Sequence, residues 1–158
     1  MSDTTVTVTR AIDADPNQLW AMVADVTRMP EWSPETVAAT WLGGASTAAT
    51  GAKFRGTNRN GNKSWKSVAT IIEAVPGSVL AFLVKAGGLS IAEWRYSFEP
   101  VGPGCCVTET WTDRRGQLLK LVSPRVTGVA DRAVHNRSGM EKTLERLANA
   151  AECSTTAN

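Results

Sequence analysis

Between Thr36 and Asp113 the chain is cut into short β-prone runs by glycine-bearing turns, and this pattern restricts its fold more than any other feature. Gly43-Gly44, Gly61, Pro76-Gly77, Gly87-Gly88 and Gly102-Pro103-Gly104 supply the breaks. The spacing predicts strands near 36–42, 52–59, 64–73, 79–85, 90–99 and 105–113. A seventh strand precedes them over residues 4–12. There Val6, Val8, Arg10 and Ile12 share one face, and Thr5, Thr7 and Thr9 share the other. Asp15-Pro16 reads as a helix start, with Asp15 as N-cap and Pro16 at the first helical position. Pro30 and Pro34 bracket a second short helix around Trp32. A long antiparallel meander needs one apolar face covered. The C-terminal segment is the cover: from Ser123-Pro124 to about Ala151, Val129, Ala133, Met140, Leu144, Leu147 and Ala151 recur at helical spacing. One helix of that length spans about 40 Å, with Gly128 and Gly139 as its weak points.

The 158 residues suit a single α+β domain, assigned to 1–152, followed by a polar, flexible tail over 153–158. Hydrophobic content of 42% and charged content of 20% place the chain among globular domains. The polar N-terminus and the lack of an apolar run near the ~18 residues of a membrane span predict a cytoplasmic protein without stable membrane insertion. Cys105 and Cys106 are neighbours on a strand and point to opposite faces, so with Cys153 they read as ordinary thiols rather than a disulfide framework. The formal charge is +2, but Lys53, Arg55, Arg59, Lys63 and Lys66 fall together without an acid between them. The run reads as a solvated hairpin or an anionic-partner surface. Phe54 and Trp65 are its only aromatics, too few to interleave with the cations, so no nucleic acid is expected.

Several catalytic kits are absent. His135 is the only histidine and no cysteine cluster exists, so no metal or other cofactor is expected. There is no G-x-S-x-G elbow and no dinucleotide fingerprint. Taking Val129, Asn136, Met140 and Leu147 as the inner stripe of the long helix, His135 lies about 120° away and is expected at the surface.

The last hairpin carries the chemistry. A loop over Val101 to Gly104 pairs Pro100 with Cys105, Phe98 with Val107, Tyr96 with Glu109 and Trp94 with Trp111. Five of the last six are bulky, so Glu109 becomes an acid on an apolar face. It is bonded to Tyr96 or paired with Arg10 as a structural group, contacts a polar group of a ligand, or acts as a general acid or base whose pKa burial has raised. Asn136 and Thr143 fall on the inner face of the helix, beside Met140. Trp32, Trp65, Trp94 and Trp111 read as core or as the wall of an apolar cavity.

The run RAIDADPNQLWAMVADVTRMPEWSP, with Asp25 and the Pro30-x-Trp32 element, resembles the start of the SRPBCC superfamily, also called START-like, Bet v 1-like or polyketide cyclase/dehydrase-like. WRYSFEP followed by GPGCCVTETW resembles its last hairpin, and NRSGMEKTLERLANAAE the end of its C-terminal helix. The resemblance implies a helix-grip fold: a seven-stranded curved antiparallel sheet around a long C-terminal helix, with a ligand cavity between. It implies binding of a hydrophobic small molecule, such as a polyketide, lipid or isoprenoid, by a monomer or homodimer. Arg10, Trp32, Trp65, Trp94, Tyr96, Phe98, Glu109, Trp111, Asn136, Met140 and Thr143 are then the expected ligand-contacting residues. The segment from Trp32 to Trp41 and the loops near Gly61 and Gly87-Gly88 would frame the entrance. The alternatives are a polyketide aromatase/cyclase or dehydratase using Glu109 and Tyr96, and a protein-interaction or chaperone-cofactor module. Oxygenase domains of the superfamily need an iron ligand set that this chain lacks.

Overall fold

A computed structural model describes residues 4–156 of the chain. The elements run β1 (Thr5–Ile12), α1 (Pro16–Ala24), a 3-10 helix (Val26–Glu31), β2 (Thr36–Leu42), β3 (Lys53–Asn60), β4 (Lys63–Val75), β5 (Val79–Ala86), β6 (Leu89–Val101), β7 (Gly104–Asp113), α2 (Gln117–Thr127) and α3 (Arg132–Thr156). The seven strands form one antiparallel sheet in the order β1-β7-β6-β5-β4-β3-β2. This is the helix-grip arrangement, with α3 laid along the inner face.

Local chemistry explains the joints. Asp15 caps α1 by accepting the Asn17 N–H at 2.7 Å, and Pro16 follows as the first helical residue. Asp25 then caps the 3-10 helix through the Thr27 N–H at 3.2 Å. Register shifts at Thr36/Ala38, Ile71/Glu73 and Val84/Lys85 interrupt the ladders and bend the sheet. On the outer face, Thr5, Thr7 and Thr9 meet Thr112, Thr110 and Thr108 hydroxyl to hydroxyl at 3.2–3.4 Å. On the inner face, the β6–β7 register is the one read from the sequence: Trp94 opposes Trp111, Tyr96 opposes Glu109 and Phe98 opposes Val107.

The cover differs from the single helix expected from Ser123. The chain enters helix earlier, at Gln117, breaks at Gly128, and resumes at Arg132. Gly128 adopts φ 72°, a left-handed conformation that ends α2, and its N–H returns to the Pro124 carbonyl at 2.8 Å. Val129, expected on the helix, is a buried residue of the connection. At its other end α3 continues to Thr156, into the segment expected to be loose, while 157–158 lie outside the described residues. The inner face of α3 buries Met140, Leu144, Leu147, Ala148 and Ala151. Among the described residues no helix is long and apolar enough to cross a membrane.

Candidate functional site

The sheet and α3 do not close on each other along their whole length. At one end, Leu80, Phe98 and Val107 fill the space as solid core. At the other, a cavity of about 190 Å³ remains. Its sheet wall is built by alternation: Phe54, Gly56 and Asn58 from β3, Trp65, Ser67 and Ala69 from β4, Phe82 and Val84 from β5, Trp94 and Tyr96 from β6, Glu109 and Trp111 from β7. The room comes from small residues among large ones. Gly56 stands between Phe54 and Asn58 and opposes Ser67, with Ala69 and Ala92 nearby on the wall. A Cβ at Gly56 would make only ordinary contacts, with Ser67 Oγ at 3.5 Å and the Asn58 amide at 3.9–4.0 Å, at a position that lines the cavity.

Glu109 forms the floor and is 2% exposed. Tyr96 Oη donates to its Oε1 at 2.8 Å, whereas Oε2 is buried with no hydrogen-bond partner. Burial pushes the Glu109 carboxyl up to about 8, against the opposing pull of the Tyr96 hydrogen bond. Burial and the adjacent acid also raise the Tyr96 phenol well above its usual range. Both groups are therefore predominantly neutral at pH 7.

A second polar station sits at the mouth. Arg132, in the first turn of α3, donates from Nη1 to both oxygens of Glu35 at 3.0 and 2.9 Å, and to Asn136 Oδ1 at 3.3 Å. His135 Nε2 lies 2.9 Å from Glu35 Oε2. The Arg132 guanidinium also stands 5.7 Å from the Trp65 ring centroid. Ser123 and Thr127 of α2 close the mouth from the other side, and Asn60 Nδ2 ties the helix end to the β3–β4 hairpin through the Thr127 carbonyl at 2.9 Å. Arg132→Ala is expected to lower stability by roughly 1–3 kcal/mol in urea unfolding. Breaking a fully buried ion pair costs about 3–5 kcal/mol, and Glu35 here is 24% exposed and keeps His135.

The cavity unites Trp65, Trp94, Tyr96, Glu109, Trp111, Asn136, Met140 and Thr143. It leaves out three residues expected to contact a ligand. Arg10 has the inward phase of Val6 and Ile12 but is exposed, because β1 is an edge strand and a long cationic side chain there reaches water. Glu109 is accordingly paired with Tyr96 and not with Arg10. Phe98 lies below the floor, in the solid core. Trp32 is buried behind the 3-10 helix with the Arg28 guanidinium 5.0 Å from its ring, and its neighbours Met29, Ser33 and Pro34 face the cavity instead. His135 is corrected in the opposite sense. Expected at the surface about 120° from the inner stripe, it keeps that flank position but is half-buried on the cavity wall, because Glu35 and the cavity mouth come up against this side of α3. Glu35 and Arg132 are not among the residues expected from the sequence. Among the described residues, no group of three or more His, Cys, Asp and Glu side chains is placed to hold a metal ion.

The profile of the family described as "Polyketide cyclase / dehydrase and lipid transport" matches residues 3–152. The chain belongs to this family. Among solved structures, it is similar to a polyketide-cyclase-like protein of Corynebacterium glutamicum, with 26% identity, a TM-score of 0.65, and 97% of this chain and 94% of that chain covered. Its fold is shared by ginseng (Panax ginseng) major latex-like protein 151, at 11% identity and a TM-score of 0.72, with 96% and 99% covered. It is also shared by the di-domain ARO/CYC StfQ from the steffimycin biosynthetic pathway, at 11% identity and a TM-score of 0.76; that likeness covers 99% of this chain and 53% of the longer protein. Among curated proteins no match is found. Family membership agrees with the cavity's position between the sheet and α3 and leaves the ligand open.

Proposed function

We infer that the protein binds a hydrophobic small molecule, of polyketide, lipid or isoprenoid character, in the cavity between the sheet and α3. The observation that carries this reading is the floor: a neutral carboxyl whose Oε2 has no partner, set in a wall of tryptophan, phenylalanine and methionine. Buried polar atoms are almost always satisfied, so a partnerless one facing an apolar cavity fits a guest bearing a neutral oxygen. Protonated Glu109 would donate to a ligand carbonyl or hydroxyl there. The cavity of about 190 Å³ is smaller than the ~300–1,000 Å³ usual for drug-sized ligands. A small or flat guest fits within it, and a longer chain would extend past Arg132 into the mouth.

A second reading, a cyclase or dehydratase, draws on the same residue. A carboxyl with a pKa of about 8 can give or take a proton near neutrality. Both readings are tested by titrating neutral aromatic polyketides, isoprenols and fatty alcohols against tryptophan fluorescence, since Trp65, Trp94 and Trp111 line the cavity. Saturable one-to-one quenching is expected from at least one class, and no response across the panel would contradict binding. With a responsive ligand in hand, Glu109→Gln separates the readings. A carrier should change affinity by less than about tenfold, whereas an enzyme should lose roughly 10²-fold or more in turnover with binding retained.

A further inference from the structure

Helix α2 is built inside out. Its inward face carries Ser123 and Thr127, which line the cavity mouth. Its outward face carries Leu118, Leu121, Val122 and Val126, which are 72%, 75%, 41% and 50% exposed. These recur at i, i+3, i+4 and i+8, so they form one continuous apolar stripe. A solvated helix normally presents the reverse. The helix itself is cationic: no acid occurs from Arg114 to Ala130, Arg125 falls within the stripe, and the acids Asp113 and Glu93 before the helix are taken up by Arg115 and Arg114. Lys63 lies beside the end of the helix, where a Cβ on Gly128 would sit 3.3 Å from Lys63 Cγ. Lys66 and Arg59 continue the charge along the adjoining β3–β4 hairpin, which lacks an acid from Lys53 to Ile72. Leu89, 54% exposed, opens β6; two residues on, the Ile91 carbonyl accepts the Arg114 N–H at 3.0 Å, three residues before α2 begins.

The geometry points to α2 as a docking helix for an anionic bilayer surface. Leu118, Leu121, Val122 and Val126 would enter the interface, while Arg125 and Lys63 meet the headgroups. An apolar stripe edged by cations and lying parallel to the surface is the recognised chemistry of interfacial helices. An apolar protein partner would explain the leucines but not the run of cations without acids. The consequence for the cavity is positional. The docked face is the outer side of the helix that closes the mouth, so a hydrophobic guest would pass between bilayer and cavity without crossing water. Docking itself does not depend on what the cavity holds.

Flotation of the full chain with vesicles tests this. Wild type should float with phosphatidylcholine vesicles containing one quarter phosphatidylglycerol and remain mostly unbound to pure phosphatidylcholine. Leu118→Gln/Leu121→Gln should cut bound protein at least tenfold with an unchanged circular-dichroism melt, because both side chains are already exposed. Lys63→Gln/Arg125→Gln should cut it by more than tenfold at low salt, at about fivefold per cation. Leu121→Trp should strengthen flotation, since tryptophan favours the interface. Failure of wild type to float, or flotation indifferent to the leucines, would overturn the proposal. So would a dimer in light scattering that Leu118→Gln/Leu121→Gln dissolves, which would make a second copy the occupant. Ligand titration of the same variants without vesicles keeps this outcome separate from the cavity reading.

Discussion

Glu109→Gln is expected to melt roughly 10 °C or more above wild type at pH 9 and within a few degrees of it at pH 5. The reasoning is linkage. The Glu109 carboxyl titrates near 8 in the folded protein against an ordinary value of 4.5. Between those values the folded state holds a proton that the unfolded chain has lost, so stability falls as pH rises through this window. Above it, both states are ionised and the full cost of burying the charge is present. A difference of that size corresponds to at most roughly 4–5 kcal/mol, and about 2–4 °C of melting temperature accompanies each kcal/mol for a domain of this size. The substituted amide would carry no charge at any pH, and its oxygen could still accept the Tyr96 hydrogen bond. Melting curves of both proteins from pH 5 to 9 check this. Parallel curves would mean that Glu109 does not titrate in that window, and the neutral-floor argument would fail.

Gly56→Ile is expected to abolish ligand binding, by at least about 100-fold, while leaving the protein as stable or slightly more so. Gly56 has no left-handed backbone to preserve, and a Cβ there meets nothing closer than Ser67 Oγ. The added side chain therefore grows into the cavity and occupies volume a guest would use. In a strand, replacing glycine by a β-branched residue gains about 0.5–1 kcal/mol in conformational terms. A core without a cavity behaves differently, because inserting several carbons into close packing costs about 1–3 kcal/mol. The urea midpoint therefore checks that the space is real, and ligand titration checks that it is used. A strongly destabilised Gly56→Ile would show that the sheet and α3 close over this position in solution.

The strands are legible in the sequence because alternation and glycine-bearing turns agree over the whole meander. The register of the last hairpin is legible for the same reason: Gly102-Pro103 fixes the turn, and only one pairing puts Trp94, Tyr96, Phe98, Val107 and Trp111 on a common face. That register alone places Glu109 against Tyr96. The break at Gly128 is hidden because Val129 and Ala133 happen to continue the apolar period across it. The break leaves the phase of α3 intact, with Asn136, Met140 and Leu147 on the inner stripe; what the phase does not reveal is that Glu35 lies over the flank carrying Arg132 and His135. Glu35 escapes because it lies in the coil before β2, where no period says which way a side chain points. Its position directly after Pro34, among residues the family resemblance puts at the entrance, is the available signal. Arg10 illustrates the opposite failure. Its phase is read correctly, but phase cannot tell a central strand from an edge, and only the pairing of β1 with β7 alone reveals that.

The central claim is that the space above Glu109 and Tyr96 is a binding cavity and not a packing defect. Native mass spectrometry of wild type and Gly56→Ile, purified side by side after exposure to the same lipid and polyketide extract, tests it most directly. A defined additional mass that denaturation releases is expected on wild type, and a bare polypeptide mass for Gly56→Ile. Equal adducts on both proteins, or none on either, would contradict it.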